Sequence, residues 1–153
     1  MGTAAELHYL FKPDGTAAPQ SHVAWLSVQQ FLADEPACKK LWELLDAQFR
    51  TRSKFLAIWP SVRFLAVHRD AEGSLDGAVL VSTPVNWQID YVVVRPESRG
   101  QGIAAMMVKA ALYEAQVASA PYVMLSSNPS LRTLYEGCGF RVVWPFPIES
   151  QSA

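Results

Sequence analysis

The chain has 153 residues, half of them apolar and 18% charged, with 13 Lys and Arg against 14 Asp and Glu for a formal charge of −1. That length suits one domain with a substantial core, and the composition excludes disordered and fibrous classes. The balanced charge argues against nucleic acid or an anionic membrane as a partner.

No apolar stretch approaches bilayer length. The first residues lack the basic start and apolar run of a secretory leader, and Glu6 stands where myristoylation wants Ser or Thr. Cys38 and Cys138 form no C-x-x-C pair, and His8, His22 and His68 lie far apart. Neither a disulfide framework nor a metal site is expected, and reduced cysteines suit a soluble cytoplasmic protein.

In chain order, residues 7–11 predict a first strand, closed by the turn Lys12-Pro13-Asp14-Gly15. Residues 22–33 and 36–49 carry apolar side chains at helical spacing and predict two helices. Val23, Leu26 and Phe31 mark the first; Leu41, Leu44, Leu45 and Phe49 mark the second. Asp34-Glu35-Pro36 is the junction, with acids and a proline where a helix begins. Residues 63–68 and 75–81 then predict a hairpin around the turn cluster 69–74, and 87–94 a third strand in the series.

A helix over 103–118 presents Lys109, Tyr113 and Gln116 as a narrow polar stripe on an otherwise apolar cylinder. Residues 122–126 predict a buried strand. A short helix over 129–138 follows, with Asn128 as its N-cap, Pro129 in its first turn and Gly139 just past its end. Residues 141–144 predict the last strand, before Pro145 and Pro147. Hairpins followed by strand–helix–strand–helix–strand predict an α/β (α+β) fold, a mixed sheet with helices.

The strongest chemical signal lies where Val92-Val93-Val94 runs through Arg95-Pro96-Glu97-Ser98-Arg99 into Gly100-Gln101-Gly102, with a helix starting at Ile103-Ala104. Glycines let the backbone turn sharply, and the first amides of the helix point outward beside the positive end of its dipole. Such a site binds phosphate. Ala104 keeps the first turn small enough for close approach. A Walker loop would need Gly-Lys-Ser/Thr, and a Rossmann loop a third glycine where Ala105 stands; neither fits. A glycine-rich connection without a ligand is the alternative. The second signal runs from Asn128 to Phe140, with Leu131, Leu134, Tyr135 and Cys138 on one face; alone, it reads as a well-capped structural helix.

Together the two segments resemble the GNAT (GCN5-related) N-acetyltransferase superfamily. Arg99-x-x-Gly102-x-Ala104 is similar to its acetyl-CoA loop, and Asn128 followed by Tyr135 and Gly139-Phe140 is similar to its second motif. The resemblance spans about 63–144, the expected cofactor-binding core of a single domain over 1–153. Residues 1–62 match only in outline, as a first strand and acceptor-facing helices. It implies a mostly antiparallel central sheet flanked by helices. It also implies direct transfer of an acetyl group from acetyl-CoA to a primary amine of a small molecule or peptide, without a metal. A non-catalytic acyl-CoA-binding regulatory module, and an acyltransferase using a longer-chain or carrier-protein donor, are the alternatives.

The resemblance further implies that Arg99, Gly100, Gln101, Gly102, Ile103 and Ala104 hold the coenzyme's pyrophosphate. Its pantetheine arm would add alongside Val92, Val93 and Val94 as an extra strand would, in a gap between the strands at 92–94 and 122–126. Tyr135 matches the usual acid for the departing thiolate, against a role in core packing. Asn128 suits a helix cap that also touches the cofactor. Gln88 and Asp90 share parity with Val92 and Val94. Of these Asp90 is the candidate base, against an ordinary strand carboxylate, and His68 is a weaker one. Cys138 reads as core, and Arg50-Thr51-Arg52-Ser53-Lys54 as a solvated helix end or an anion-attracting cluster. Trp25, Trp42, Trp59 and Trp87 either line an aromatic acceptor pocket or fill the core. The family usually ends in a two-stranded hairpin, yet few residues follow Phe140 and prolines oppose a long second strand. The C-terminal strand region is therefore short. Either the sheet ends early or a second subunit completes it, which would make a homodimer.

Overall fold

The β-branched and aromatic runs form strands at Leu7–Phe11 (β1), Ala24–Ser27 (β2), Val62–Arg69 (β3), Leu75–Ser82 (β4), Trp87–Val94 (β5), Val123–Ser127 (β6) and Arg141–Trp144 (β7). Helices span Val28–Leu32 (α1), Glu35–Phe49 (α2), Arg52–Ile58 (α3), Ile103–Val117 (α4) and Arg132–Gly137 (α5). These elements come from a computed structural model that describes residues 6–49, 52–83 and 85–145. The strands make one sheet in the order β2-β3-β4-β5-β6-β1-β7. Its described pairings are antiparallel except for β5 with β6. This is the mixed, mostly antiparallel sheet flanked by helices that the sequence implied.

Alternation along the central strands divides the core in two. Ala66, Val79 and Val81 pack with Met107, Val108 and Ala111 of α4. Leu65, Val67, Ala78 and Leu80 face the other way, toward Phe31, Leu41, Leu45 and Phe55. With both faces covered, β4 is buried over its whole length, as a central strand between two helical layers must be. Among the described residues no helix is long and apolar enough to cross a membrane.

Residues 22–33 depart from the predicted helix. Ala24–Ser27 is an edge strand paired with β3, Trp25 opposite Ala66 and Leu26 opposite Leu65. As a strand it sends Trp25 to the α4 side and Leu26 to the α2 side, packing both. Ser27 then starts α1. Its Oγ accepts from the Gln30 amide at 3.1 Å, while Gln30 Oε1 accepts from the Ser27 amide at 2.8 Å. That capping box fixes the helix start at Val28.

The end of the sheet also differs from expectation. β1 does not lie beside its chain neighbour β2; it inserts between β6 and β7, with Tyr9 opposite Leu125 on one side and Val142 on the other. β1 thus lies inside the sheet, and β7, paired with β1 alone among the described strands, forms its edge. Tyr9 is 1% exposed, and its ring packs 5.3 Å from Tyr135 and 6.3 Å from Phe140, locking β1 to α5.

Candidate active site

At the C-terminal end of β5 a 3-10 turn over Pro96–Ser98 leads into the glycine loop. Gly100 and Gly102 take φ of +82° and +76°, the left-handed region that costs L residues strain. Nothing lies within 4 Å of where a Cβ would stand on either, so both glycines border open space. Gly102 caps α4 with no side-chain hydrogen bond. The turn is closed by Ser98 N–H to Arg95 O at 2.9 Å, and α4 begins its own bonding with Met106 N–H to Gly102 O at 3.0 Å. Between them, the amides of residues 100–105 find no partner among the described residues. Unpaired donors in open space at a helix N-terminus fit a phosphate group.

Two arginines brace this loop. Arg95 donates to Asp70 Oδ2 at 2.9 Å and to Ser98 Oγ at 3.0 Å, tying the loop to the β3–β4 turn. The Ser74 amide above all, helped by Arg95 and the Glu72 amide, holds the Asp70 carboxyl below the ordinary aspartate value. Arg99 donates through Nε to Val94 O at 3.2 Å and through Nη2 to Gln48 Oε1 at 3.3 Å, reaching across to α2. The sequence reading missed the Arg95–Asp70 pair because its members lie in separate turns with no fixed spacing.

β5 and β6 pair only at Trp87 with Val123 and Gln88 with Met124. Beyond that point the strands part, as the resemblance implied, leaving the β6-facing edge of β5 without a strand partner. A cavity of about 90 Å³ is lined by Asp90, Tyr91, Ser127 and Tyr135. An adjoining one of about 380 Å³ is lined by Phe49, Ile58, Gln88, Asp90, Tyr91 and Asn128.

A β-bulge re-aims the residues here. Leu80 stands opposite Tyr91 and Val81 opposite Ile89, so Asp90 is the extra residue. Ile89, Val92 and Val94 consequently belong to the α4 side, while Tyr91 and Val93 belong to the α2 side. Asp90 lines the cavities with Tyr91 and Phe49. The expected shared face of Gln88, Asp90, Val92 and Val94 is therefore corrected: the bulge breaks the parity, Val92 and Val94 pack on the α4 side, and Asp90 bonds to Gln88.

Asp90 Oδ1 accepts from Gln88 Nε2 at 3.2 Å, whereas Oδ2 is buried with no partner. Burial raises the Asp90 pKa, against the opposing pull of the Ser82 and Gln88 side chains. Tyr135, 4% exposed, has its phenol pushed up to about 12 by burial, with Ser127 pulling the other way. It is thus both a core residue and a cleft-lining phenol that stays protonated at neutral pH. Asn128 Oδ1 accepts from the Ser130 amide at 2.9 Å, capping the turn at Pro129–Leu131 while lining the larger cavity.

Other sequence candidates lie elsewhere. His68 Nδ1 sits 2.7 Å from Asp76 Oδ1 on the β3–β4 hairpin and does not line either cavity. Cys138 is buried, and both cysteines are free. Trp25 and Trp87 stack with Phe64 on the α4 side, and Trp42 and Trp59 surround Phe55 on the other, so none lines the Asp90 cavities. The basic run at 50–54 lies outside the residues whose side chains are described. Among the described residues no group of His, Cys, Asp and Glu is arranged to hold a metal.

The sequence family described as acetyltransferase (GNAT) domain matches residues 60–142, more than half of the chain. No curated protein matches it. Among solved structures, a GCN5-related N-acetyltransferase from Sphaerobacter thermophilus superposes with a TM-score of 0.64 at 18% identity, over 90% of this chain and 48% of that one. An acetyltransferase from Bacillus subtilis in complex with CoA gives 0.59 at 18% identity, over 67% and 70% of the two chains. The NatC complex bound to Gag peptide and CoA gives 0.54 at 22%, over 76% and 82%. At such identities the likeness is one of fold. The chain spans about half the length of the Sphaerobacter protein it matches.

Proposed function

The chain belongs to the GNAT acetyltransferase family, and on that premise we propose that it moves an acetyl group from acetyl-CoA directly to a primary amine of a small molecule or peptide. One observation carries the assignment: β5 leaves β6 after Gln88, between the unpartnered amides of the loop and a cavity lined by both Asp90 and Tyr135. The CoA in the Bacillus subtilis structure supports the donor class, and the peptide and CoA in NatC keep peptides among the acceptors. Free Cys38 and Cys138 fit a cytoplasmic location.

The loop from Arg99 to Gly102, with the amides of Ile103 and Ala104, holds the diphosphate by backbone donors and the α4 dipole. The open edge of β5 at Val92, Val93 and Val94 aligns the pantetheine arm, and Asn128 borders it. Acetyl-CoA supplies an activated acyl carbon and a thiolate leaving group. Asp90 has to strip a proton from an ammonium whose pKa is about 10, and burial of the carboxyl narrows that mismatch. Tyr135 keeps its proton until sulfur departs, because its own pKa of about 12 leaves it neutral throughout the physiological range.

Free thiol released from acetyl-CoA across an amine panel, at saturating donor, tests the assignment. Turnover with at least one amine is expected. Heat of CoA binding without thiol release from any amine would leave a binding module in place of an enzyme.

A further inference from the structure

A further cavity of about 380 Å³ lies at the opposite end of β1 and β6 from the active-site cleft. Phe11, on its floor, pairs with Val123, the first residue of β6, whereas the cleft opens at Ser127, the last. None of the residues lining it lines the cavities at Asp90. Its floor is formed by Phe11, Leu112 and Cys138, all buried. Its outer wall is the loop that follows β1, which Gln116 of α4 pins in place. The Ala17 amide donates to Gln116 Oε1 at 3.1 Å, and Gln116 Nε2 donates to Ala17 O at 3.3 Å. With the wall tethered at that point the space is built into the fold, and its volume is that of a small-molecule site.

Lys12 and Lys109 line the same cavity and are exposed, and neither is ion-paired among the described residues. Burial raises the Cys138 thiol, while the Lys109 ammonium pulls the other way. The floor is therefore uncharged at neutral pH, and that ammonium acts close to it. The lining carboxylate, Asp14, already accepts from both the amide and the hydroxyl of Thr16. Two cations against one engaged carboxylate, above an apolar floor, match an anion with an apolar body, its charge left at the wet rim and its hydrocarbon taken out of water. We propose that this cavity is a second ligand site for a monocarboxylate with a short apolar tail. The tail rests on Phe11 and Leu112, and the carboxylate meets Lys12 and Lys109. The site stands whether or not the chain transfers acetyl groups.

Calorimetry on the full-length protein tests it with acetate, butyrate and hexanoate, and with hexanamide as the uncharged match to hexanoate. Affinity should rise about three- to fourfold for each added methylene, and hexanoate should bind more tightly than hexanamide. The double variant Lys12→Met, Lys109→Met keeps both stems and removes both charges. It should raise the hexanoate Kd about five- to tenfold, the size of two rim ion pairs, and leave the Kd for hexanamide, the Kd for acetyl-CoA and Tm as they are in the wild type. Saturating CoA should not displace hexanoate. No heat from hexanoate at millimolar concentration, equal affinity for hexanamide, a hexanoate Kd untouched by the double substitution, or displacement by CoA would each overturn the proposal.

Discussion

Two parts of the same strand build their sites from different materials. The loop that follows β5 offers backbone amides in open space, and its side chains serve mainly to brace it: Arg95 to Asp70 and Arg99 to Gln48. The bulge within β5 offers side chains: Asp90, one of whose oxygens accepts from Gln88 while the other is buried and unpaired, and Tyr91, whose hydroxyl is buried and unpaired. A backbone site tolerates many side chains but few backbone conformations. A side-chain site depends on individual atoms in a half-dry cavity, where burial shifts proton affinities. Substitutions should therefore act on affinity for the donor at the loop, and on turnover and acceptor choice at the bulge.

The sharpest contrast is expected across the cleft at Tyr135. Replacing it with Phe should lower kcat by about 10²- to 10³-fold, the usual range for a lost general acid, with calorimetric affinity for acetyl-CoA unchanged. Unaltered turnover would eliminate the acid role and leave the ring as packing against Tyr9 and Phe140.

Asp90→Asn should cost about 10²-fold in turnover. Its pH behaviour carries the sign. Burial raises the folded carboxyl above its unfolded value, so Asp90 favours the folded state fully below about pH 4, the unfolded value, and that contribution is lost as pH rises through the folded one. The Asn variant should accordingly melt at a higher temperature than wild type at pH 7, with the difference shifting toward the wild type on acidification. In wild type, turnover should climb as pH rises through the folded value, where the base loses its proton. An Asp90→Asn protein that melts lower at pH 7 would show that the carboxylate is paired after all.

At the loop the effect should be smaller and of another kind. Gly102→Ala forces a Cβ onto a backbone at φ +76°, costing about 1 kcal/mol. It should raise the Kd for acetyl-CoA several-fold while leaving acceptor preference as it was. A change in acceptor preference would mean that the two sites are not separable in this way. Smallest of all, Ser27→Ala removes the capping box of α1 and should lower stability by about 1 kcal/mol in urea unfolding, with kinetic constants unaltered.

What could be read from the residues depended on range. β5, the glycine loop and α4 were legible to within a residue, since β-branched runs, two glycines and helical apolar spacing act over a few neighbours. Asn128 was legible as a cap for the same reason, although the predicted helix over 129–138 is split into a 3-10 turn at Pro129–Leu131, which Asn128 caps, and α5 after it. Residues 22–33 misled because Val23, Leu26 and Phe31 also satisfy an edge strand followed by one helical turn. The decisive Ser27–Gln30 signature was present but overlooked. The bulge at Asp90 was not legible, because alternation assumes an unbroken register and only the pairing with β4 reveals the extra residue.

Taken alone, the amino-acid order determined the family, most elements from β3 onward, the glycine loop and the identity of the candidate acid and base, all of which follow from local conformational preference and short motifs. Tertiary structure alone decided that β1 crosses the molecule to lie between β6 and β7, and that Asp90 is an extra residue in the pairing of β5 with β4. Both are matters of strand pairing between segments distant in the chain. A strand's partner and register are chosen by which faces can be buried against the rest of the core, and no window of neighbouring residues contains that information.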